Sequence, residues 1–362
     1  MVILAINPGG GSTKIAVFRN KRQILFENVM HPSAQLAHYK LFLDQYRMRK
    51  QAIVGTLERH RMNPGSIDAI VSRGGPLLPL PGGVYRITAR VVADIRHGRV
   101  QTLHPSLLGP LVAYELAEEV GVPAYFVDPV STDEFWGISR ISGLKGIERL
   151  ALSHALSCRT VARAAARRLK KPYEKCNFVV AHLGTGITVA AHVHGRQVDA
   201  TNANDDGPFS PQRAGTLPLS GLIRLCFSGR YSERDVFNLV QRRGGLVSYF
   251  GTADVRQVEK LVAEGNRRAE VVYEALIYQI AKGIGAYAVT CNGNIDAIVL
   301  TGGMTKSKRL VQGLKKRIRF LSPRIFVYPG EEEMPVLASR LLAVLKGKEK
   351  EKIYEQEVAV RR

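Results

Sequence analysis

Residues 2–18 have the sequence VILAINPGGGSTKIAVF, in which two apolar runs flank three consecutive glycines. Each run is short and apolar, which predicts a buried strand, and the glycines predict a tight connection between the two strands. Gln23–Val29 alternates in polarity and predicts a third strand. Residues 178–194, FVVAHLGTGITVAAHVH, repeat this arrangement, and Gln197–Thr201 again follows as a third strand. The repetition predicts a fold that is duplicated within the chain.

The segments that follow each group of strands complete an α/β pattern. Apolar residues recur at helical spacing and separate further short apolar runs. In the first half we expect helices at Ser33–Met62 and Pro105–Gly121, and strands at Ile67–Ser72 and Ala124–Asp128. In the second half we expect helices at Leu152–Lys171, Ser232–Arg242, Asp254–Glu264 and Arg268–Cys291, a strand at Ile295–Leu300, and a last helix from about Glu333 that frays into a charged tail, Lys346–Arg362.

Composition narrows the class of protein. The chain has 362 residues, 45% apolar and 23% charged, which suits a globular protein of about two domains. Lys and Arg number 52 against 31 Asp and Glu, and the resulting charge of +21 attracts anions from phosphates to nucleic acid. Four widely spaced cysteines indicate neither disulfides nor structural zinc, so we expect a cytoplasmic protein. No apolar run approaches the roughly 18 residues of a bilayer span, so we expect no membrane partner.

Three glycine-rich segments are candidate phosphate-binding loops. Asn7–Lys14 and His182–Ile187 connect the first two strands of each half, and Thr301–Lys306 follows another apolar strand. Residues without a Cβ let backbone N–H groups approach phosphate oxygens closely. An ordinary hairpin turn is the alternative for either connecting loop taken alone. Neither loop has the spacing of a P-loop, and neither opens a helix as a Rossmann glycine motif does.

The glycine segments resemble the first phosphate, second phosphate and adenosine motifs of the superfamily of acetate and sugar kinases, heat-shock chaperones and actin. The asparagine that opens the first loop, Ser72–Gly75 and Arg213 are similar to the acetokinase branch. Residues 75–85, 126–134 and 141–149 are similar to the butyrate kinases of that branch. The resemblance extends from Val2 to about Leu345. It implies an α/β fold with two duplicated RNase H-like (actin-like ATPase) domains and an interdomain cleft.

The resemblance further implies a reversible, ATP-dependent phosphorylation of a short-chain fatty acid to its acyl phosphate, by in-line transfer to the carboxylate. The expected acid is butyrate or a branched acid of four or five carbons, and an acetate or propionate kinase is the alternative. A sugar kinase must deprotonate a hydroxyl, whereas a carboxylic acid with a pKa of roughly 4 to 5 is already ionised at pH 7. The site therefore needs cations that overcome the repulsion between two anions.

Four residues are implied to handle the reacting anions. Arg73 would bind the substrate carboxylate, because a guanidinium contacts a carboxylate at two points. Arg213 would stabilise the transferring phosphoryl group, and His182 would donate to phosphate oxygens. Asn7 lies where related enzymes carry an aspartate that activates a hydroxyl or water, and its amide adds no negative charge. A surface ion pair is the alternative for each arginine, and a buried, hydrogen-bonded histidine is the alternative for His182.

ATP and Mg²⁺ are the implied cofactors. Asp128, at the end of a predicted strand, and Glu332, at the predicted domain junction, are the candidate metal ligands, with the glutamates on either side of Glu332 as alternatives. The residues implied to contact ATP are Gly10, Ser12, Thr13, Lys14, Gly184, Thr185, Gly186, Asp254, Arg256, Gly302 and Gly303. For Lys14, the alternative to a contact with ATP is that its side chain extends along the edge of the sheet. Acetokinases commonly carry a second active-site histidine where this sequence has Leu150.

We expect residues 1–150 with 336–362 to form an acid-binding domain that includes the returning C-terminal helix, and residues 151–335 to form a nucleotide-binding domain. Residues 76–81, PLLPLP, are expected to supply an apolar wall for the acyl chain. Relatives imply a homo-oligomer. A kinase-fold regulator that binds nucleic acid is one alternative, favoured by the net charge, but no helix-turn-helix precedes the first strand. An actin-like ATPase is another, although it would need an acid in place of Asn7.

Overall fold

The computed structural model describes residues 1–330 and 333–359 of the chain. These residues form two compact units. Unit 1 comprises Met1–Asp133 with residues 333–359, and unit 2 comprises residues 134–330. The segment 134–150, expected in the first domain, packs within unit 2, where Trp136 N–H donates to the Val198 carbonyl at 3.0 Å.

Strands and helices alternate through both units. The strands are β1 (Val2–Pro8), β2 (Ser12–Arg19), β3 (Arg22–Met30), β4 (Ala69–Arg73), β5 (Val84–Arg86), β6 (Ala124–Val127), β7 (Asn177–Leu183), β8 (Ile187–Val193), β9 (Arg196–Ala200), β10 (Ala297–Gly302), β11 (Ile325–Pro329) and β12 (Lys352–Ile353). The helices are α1 (Ser33–Ala37), α2 (Tyr46–Arg59), α3 (Ala89–Arg96), α4 (Leu108–Val120), α5 (Gly137–Arg140), α6 (Ala155–Arg168), α7 (Leu219–Cys226), α8 (Glu233–Gln241), α9 (Gly245–Phe250), α10 (Val255–Ala263), α11 (Arg267–Thr290), α12 (Lys308–Ile318), α13 (Glu333–Leu345) and α14 (Tyr354–Ala359).

The sheet of unit 1 has the strand order β12-β5-β6-β4-β1-β2-β3. β1, β2 and β3 form an antiparallel meander, and β4 and β6 continue the sheet in parallel with β1. Helices α4 and α13 pack on these strands. The β1 residues Ile3–Ile6 are buried, as expected for a strand covered on both faces.

The sheet of unit 2 has the strand order β11-β10-β7-β8-β9, with β7, β8 and β9 as a meander and β10 and β11 parallel to β7. Side chains of a strand alternate between its faces. Val179 and Ala181 of β7 pack in one cluster with residues of α11, whereas Phe178 and Val180 pack in another with residues of α6. The sheet is therefore covered on both faces, which explains the continuous apolar runs in the sequence.

The two sheets contain the same arrangement of five strands. β3-β2-β1-β4-β6 in unit 1 and β9-β8-β7-β10-β11 in unit 2 have the same order and the same parallel and antiparallel pairings. The two glycine loops occupy equivalent places, between the first two strands of each meander. The duplicated fold predicted from the sequence is confirmed.

Three local predictions differ from the structure. The helix expected over Ser33–Met62 is divided into α1, a 3₁₀ turn and α2, because the Asp44 carboxylate accepts from the Leu41 N–H at 3.2 Å and starts a new turn there. The sequence pattern also misses two strands, β5 and β11, and five helices, α3, α5, α7, α9 and α12. The charged tail expected to fray instead forms β12 and α14, since Tyr354 is fully buried and anchors it.

Crossing a bilayer requires a long apolar helix. Within residues 1–330 and 333–359, no helix has both that length and that apolar character.

Candidate active site

Asn7, Arg73 and Glu333 form a hydrogen-bonded cluster at one end of the unit 1 sheet. Asn7 lies on β1 and Arg73 ends β4, the neighbouring parallel strand, so both side chains come from the same sheet edge. Asn7 Nδ2 donates to Glu333 Oε2 at 2.5 Å, and Arg73 Nη1 lies 3.0 Å from Glu333 Oε1. The Arg73 side chain is 24% exposed and that of Glu333 9%, so the cluster is open to solvent on its arginine side.

The structure describes one of the two residues predicted to hold Mg²⁺. Glu332 lies outside the described residues. Asp128 directly follows β6, has a left-handed backbone with φ of 36°, and is buried. Its Oδ1 accepts from the Gly83 N–H at 2.8 Å, and its Oδ2 lies 2.7 Å from Arg340 Nη1. Both oxygens therefore already stabilise unit 1, and a metal ion would have to share or replace one of these bonds.

The donor set of unit 1 suits a metal that is held mainly by a bound nucleotide. Among the described residues, no three His, Cys, Asp or Glu side chains converge as a metal site. Mg²⁺ prefers one or two carboxylates together with phosphate and water, so a complete protein cage is not required. Glu333, at the start of α13, is the described carboxylate that lies beside Asn7 and Arg73. These residues fit Mg²⁺ better than a metal that needs several protein ligands.

The first glycine loop, Gly9–Ser12, connects β1 to β2. Gly10 is exposed and Ser12 half-buried, so both are accessible to a ligand. Lys14 pairs with Asn7 across β1 and β2, and directly paired residues share a sheet face, so Lys14 lies on the Asn7 side. Thr13 is fully buried, which contradicts a side-chain contact with ATP: its hydroxyl faces the core, 2.9 Å from His31 Nε2.

The second glycine loop follows His182, which is buried at the end of β7. The ring of His182 stacks on that of His154, with centroids 4.2 Å apart and planes 14° apart. His154 Nδ1 lies 2.8 Å from the Thr188 hydroxyl on β8, which fixes the orientation of this second ring. The stack therefore places a second histidine beside the loop, although the sequence has Leu150 at the position where acetokinases carry one.

Arg213 lies against the second glycine loop. A Cβ on Gly186 would be only 2.4 Å from Arg213 Nη1, so the guanidinium occupies the space that the missing side chain leaves. Ser210 Oγ donates to the Thr185 carbonyl at 2.5 Å and ties the Arg213 loop to the glycine loop. Burial lowers the pKa of Arg213 from its ordinary value. Within the described part of the chain, no carboxylate pairs with this guanidinium, so its charge is available to an anion.

A cavity of about 620 Å³ in unit 2 brings together residues from three parts of the chain. It is lined by Gly184 and Thr185 of the second loop, by Asp254 and Arg256 at the start of α10, and by Gly303. This volume lies within the usual range for small-molecule sites, about 300 to 1,000 Å³. Five of the residues expected to contact ATP therefore line one cavity.

Glycine is required at the end of β10, directly before the cavity-lining residue Gly303. Gly302 ends β10 with a φ of 95°, and a Cβ there would lie 2.4 Å from the Leu183 carbonyl oxygen. Only glycine allows this approach and this backbone conformation together. Asp254 caps α10 by accepting from Arg256 N–H at 2.9 Å, and its ion pair with the Arg256 guanidinium lowers the pKa of Asp254.

Sequence reasoning assigned no individual role to three polar residues of the cavity wall. Lys306, Ser307 and Glu259 also line it, and Glu259 accepts hydrogen bonds from Ser307 and, at 2.5 Å, from Tyr273. The Thr301–Lys306 motif indicated Lys306, but Glu259 lies on α10 with no local signal of function. The predicted apolar wall is also smaller than expected. Leu77 and Leu80 are fully buried in unit 1, so Leu78, Pro79 and Pro81 are its accessible apolar residues.

Known proteins share this architecture. Residues 142–321, just under half of the chain, match the model of the Acetokinase family. The fold is that of the acetate kinase of Porphyromonas gingivalis, with a TM-score of 0.74 and 18% identity over 94% of this chain and 98% of that one. A propionate kinase from Francisella tularensis subsp. tularensis SCHU S4 gives a TM-score of 0.72 and 19% identity, covering 94% of this chain and 98% of that one. The acetate kinase of Entamoeba histolytica gives 0.76 and 15%, covering 96% and 99%. At these identities the structures establish the shared fold, and the predicted fold class is confirmed.

Proposed function

We propose that this chain is an enzyme of the acetokinase family that transfers the γ-phosphoryl group of ATP to the carboxylate of a short-chain fatty acid, reversibly. The family match over residues 142–321 supports the reaction class. We propose butyrate or a branched acid of four or five carbons as the preferred acceptor, and acetate or propionate as the second candidate. In this proposal the acid binds in unit 1 and the nucleotide in unit 2.

The observation that carries the choice of acceptor is the Asn7–Arg73–Glu333 cluster. Both oxygens of Glu333 are engaged, one by the Asn7 amide and one by the Arg73 guanidinium. A kinase that acts on hydroxyl groups needs a general base with a free oxygen or nitrogen near the acceptor. A carboxylate acceptor is ionised at pH 7 and needs none. Arg73 already binds one carboxylate, and a substrate carboxylate has the same chemistry.

The remaining residues supply phosphate binding and positive charge. The amide of Gly186 and the imidazole of His182 would position the phosphates, and the 620 Å³ cavity would hold the nucleoside. Arg213, half-buried on Gly186, would stabilise the charge that is shared among the phosphoryl oxygens during transfer. To hold Mg²⁺ together with the nucleotide, Glu333 would exchange one of its contacts, to Asn7 or to Arg73, for the metal, and Asp128 is the second candidate ligand. When bound, Mg²⁺ neutralises phosphate charge.

Acyl-chain selectivity is expected to be weak. Each buried methylene contributes about 0.8 kcal/mol, so the two methylenes by which butyrate exceeds acetate contribute about 1.6 kcal/mol. Leu78, Pro79 and Pro81 offer a short apolar surface, which suits chains of four or five carbons better than two. Butyrate should therefore exceed acetate in kcat/KM by about tenfold rather than by several orders of magnitude.

The test is formation of acyl phosphate from ATP, trapped as the hydroxamate, across straight and branched acids from C2 to C6. Turnover that is highest with C4 or C5 acids supports the proposal. Highest turnover with acetate or propionate supports the second candidate. Glucose and glycerol serve as hydroxyl acceptors, and ADP release with either of them, or with water, exceeding that with every acid would contradict a carboxylate kinase.

A further inference from the structure

Arg49 of unit 1 lies on the buried side of the first glycine loop. It has no part in the predicted site. It comes from α2 and is fully buried, with no exposed surface. Its Nη1 donates to the Ser12 carbonyl at 2.7 Å and to the Thr13 hydroxyl at 3.1 Å. Its Nη2 donates to the Gly10 carbonyl at 3.0 Å and to Gln45 Oε1 at 3.0 Å. One guanidinium therefore holds both ends of the loop.

The charge of Arg49 is not balanced inside unit 1. Its acceptors are two carbonyls, a hydroxyl and an amide, all neutral, and no carboxylate of residues 1–330 or 333–359 pairs with it. Burial lowers the pKa of Arg49 to about 10, which leaves the group charged at pH 7. A buried cation without a counter-ion is unfavourable, and such groups are normally paired. An anion bound at the loop would compensate this charge.

The carbonyls of the first glycine loop are hydrogen-bonded to the interior of unit 1, whereas two of its amides remain available, and this arrangement suits anion binding. All of the carbonyls from Gly10 to Ser12 are bonded inward, two by Arg49 and that of Gly11 by the His31 N–H at 2.9 Å. The Gly10 and Gly11 amides have no acceptor in the described part of the chain, and both residues are exposed. Consecutive free amides of this kind form a concave anion site.

We propose that Arg49 is a positioning residue for phosphate binding: it fixes the inward orientation of the Gly10 and Ser12 carbonyls, so that the Gly10 and Gly11 amides are presented to a terminal phosphate of the nucleotide. Its buried charge adds to the attraction for that phosphate. The link to catalysis rests on the proposed kinase function, but binding of the polyphosphate itself does not. Arg49 and Arg213 then support equivalent glycine loops. Arg49 contacts the first loop from its buried side, and Arg213 contacts the second loop from its accessible side.

The experiment compares Arg49→Met and Arg49→Lys with Arg59→Met, a control on the same helix whose side chain is 57% exposed and pairs with Glu27. We expect Arg49→Met to lower kcat/KM for MgATP by about 30-fold or more while the KM for the acid changes by less than about threefold. Arg49→Lys keeps the charge but cannot hold both carbonyls in one plane, so it should recover only part of the loss. Arg59→Met should match the unmodified protein.

A binding measurement does not depend on turnover. Sodium tripolyphosphate should raise the Tm of the unmodified protein and of Arg59→Met, and should do so far less for Arg49→Met. If Arg49→Met does not fold, Gln45→Met, which removes one of the four bonds, should show the same loss in smaller degree. Equal tripolyphosphate shifts in folded Arg49 variants, or equal increases in KM for both substrates, would overturn the inference. Failure of every acid as acceptor, with the tripolyphosphate difference retained, would reject the kinase proposal alone.

Discussion

Gly186 shows how one missing side chain sets the position of a reactive group. A Cβ there would be 2.4 Å from Arg213 Nη1, which is the flexible end of a side chain rather than backbone. The residue has a negative φ, so alanine introduces no backbone strain. Gly186 is therefore required for the placement of Arg213 and not for the conformation of the loop.

We predict that Gly186→Ala will lower kcat by about 100-fold with little change in Tm, because the methyl group displaces the guanidinium from the transferring phosphoryl group. Steady-state kinetics and thermal unfolding will measure both. Gly285→Ala is the matched control, since a Cβ at this helical position meets nothing within 4 Å. It should keep full activity and gain up to about 1 kcal/mol in stability. Normal activity in Gly186→Ala would contradict the role of Arg213.

His31 links the first glycine loop to pH. Burial and, secondly, the nearby Arg49 charge lower the pKa of His31 below its ordinary value of 6.5. The folded state disfavours the protonated ring. The contribution of neutral His31 to the free energy of unfolding is therefore fully present above pH 6.5, and it is lost as the pH drops from 6.5 through the lower pKa of the folded state. We predict that the Tm of His31→Gln will depend less on pH than that of the unmodified protein between about pH 7.5 and 5.

His38→Gln is the control for this pH prediction, because His38 is exposed on the same segment. Its Tm should follow the pH dependence of the unmodified protein. Parallel Tm curves for His31→Gln and the unmodified protein would show that His31 does not cause the acid sensitivity.

At the scale of elements, the C-terminal tail is part of the unit 1 core. β12 pairs in parallel with β5, and Tyr354 at the start of α14 is fully buried, with its ring 6.5 Å from that of Phe126. Glu349 of the tail also fixes Arg340 of α13. Arg340 Nε donates to Glu349 at 2.9 Å, and Arg340 Nη1 contacts Asp128. The tail thereby stabilises the strand end that carries a candidate metal ligand.

We predict that Tyr354→Ala will destabilise the protein by about 3–5 kcal/mol, the usual cost of removing a buried aromatic ring. Urea unfolding followed by circular dichroism will measure it. Tyr278→Ala, at a position on α11 that is 54% exposed, should change stability by less than about 1 kcal/mol. A loss in Tyr354→Ala no greater than in Tyr278→Ala would mean that the tail is not anchored.

The strands of the two meanders were predictable and the break in one helix was not, for a physical reason. β1 and β7 are covered on both faces, so burial alone requires continuous apolar runs, and a run of this kind is visible in sequence. The break between α1 and α2 depends on a hydrogen bond from the Leu41 N–H to Asp44, which competes with the helix without changing the apolar pattern.

At the scale of the whole molecule, the net charge of +21 predicts attraction of ATP from a distance. We expect kcat/KM for MgATP to fall several-fold when KCl rises from roughly 0.05 to 0.5 M, because the Debye length shortens from about 14 to 4 Å. The value of kcat should change much less, since bound charges are screened little. Initial rates at several KCl concentrations provide the measurement. An unchanged kcat/KM would show that the excess charge lies away from the route of the nucleotide.

The sequence by itself determined the two meanders and their glycine loops, because strand burial and glycine content are local properties. The tertiary structure decided which charges meet. It pairs Asp128 with Arg340, joins Glu333 to Asn7 and Arg73, and brings Arg49 beneath a loop from a separate helix. A buried charge or carbonyl must find a partner in space, and that partner is set by packing between distant segments rather than by any pattern along the chain.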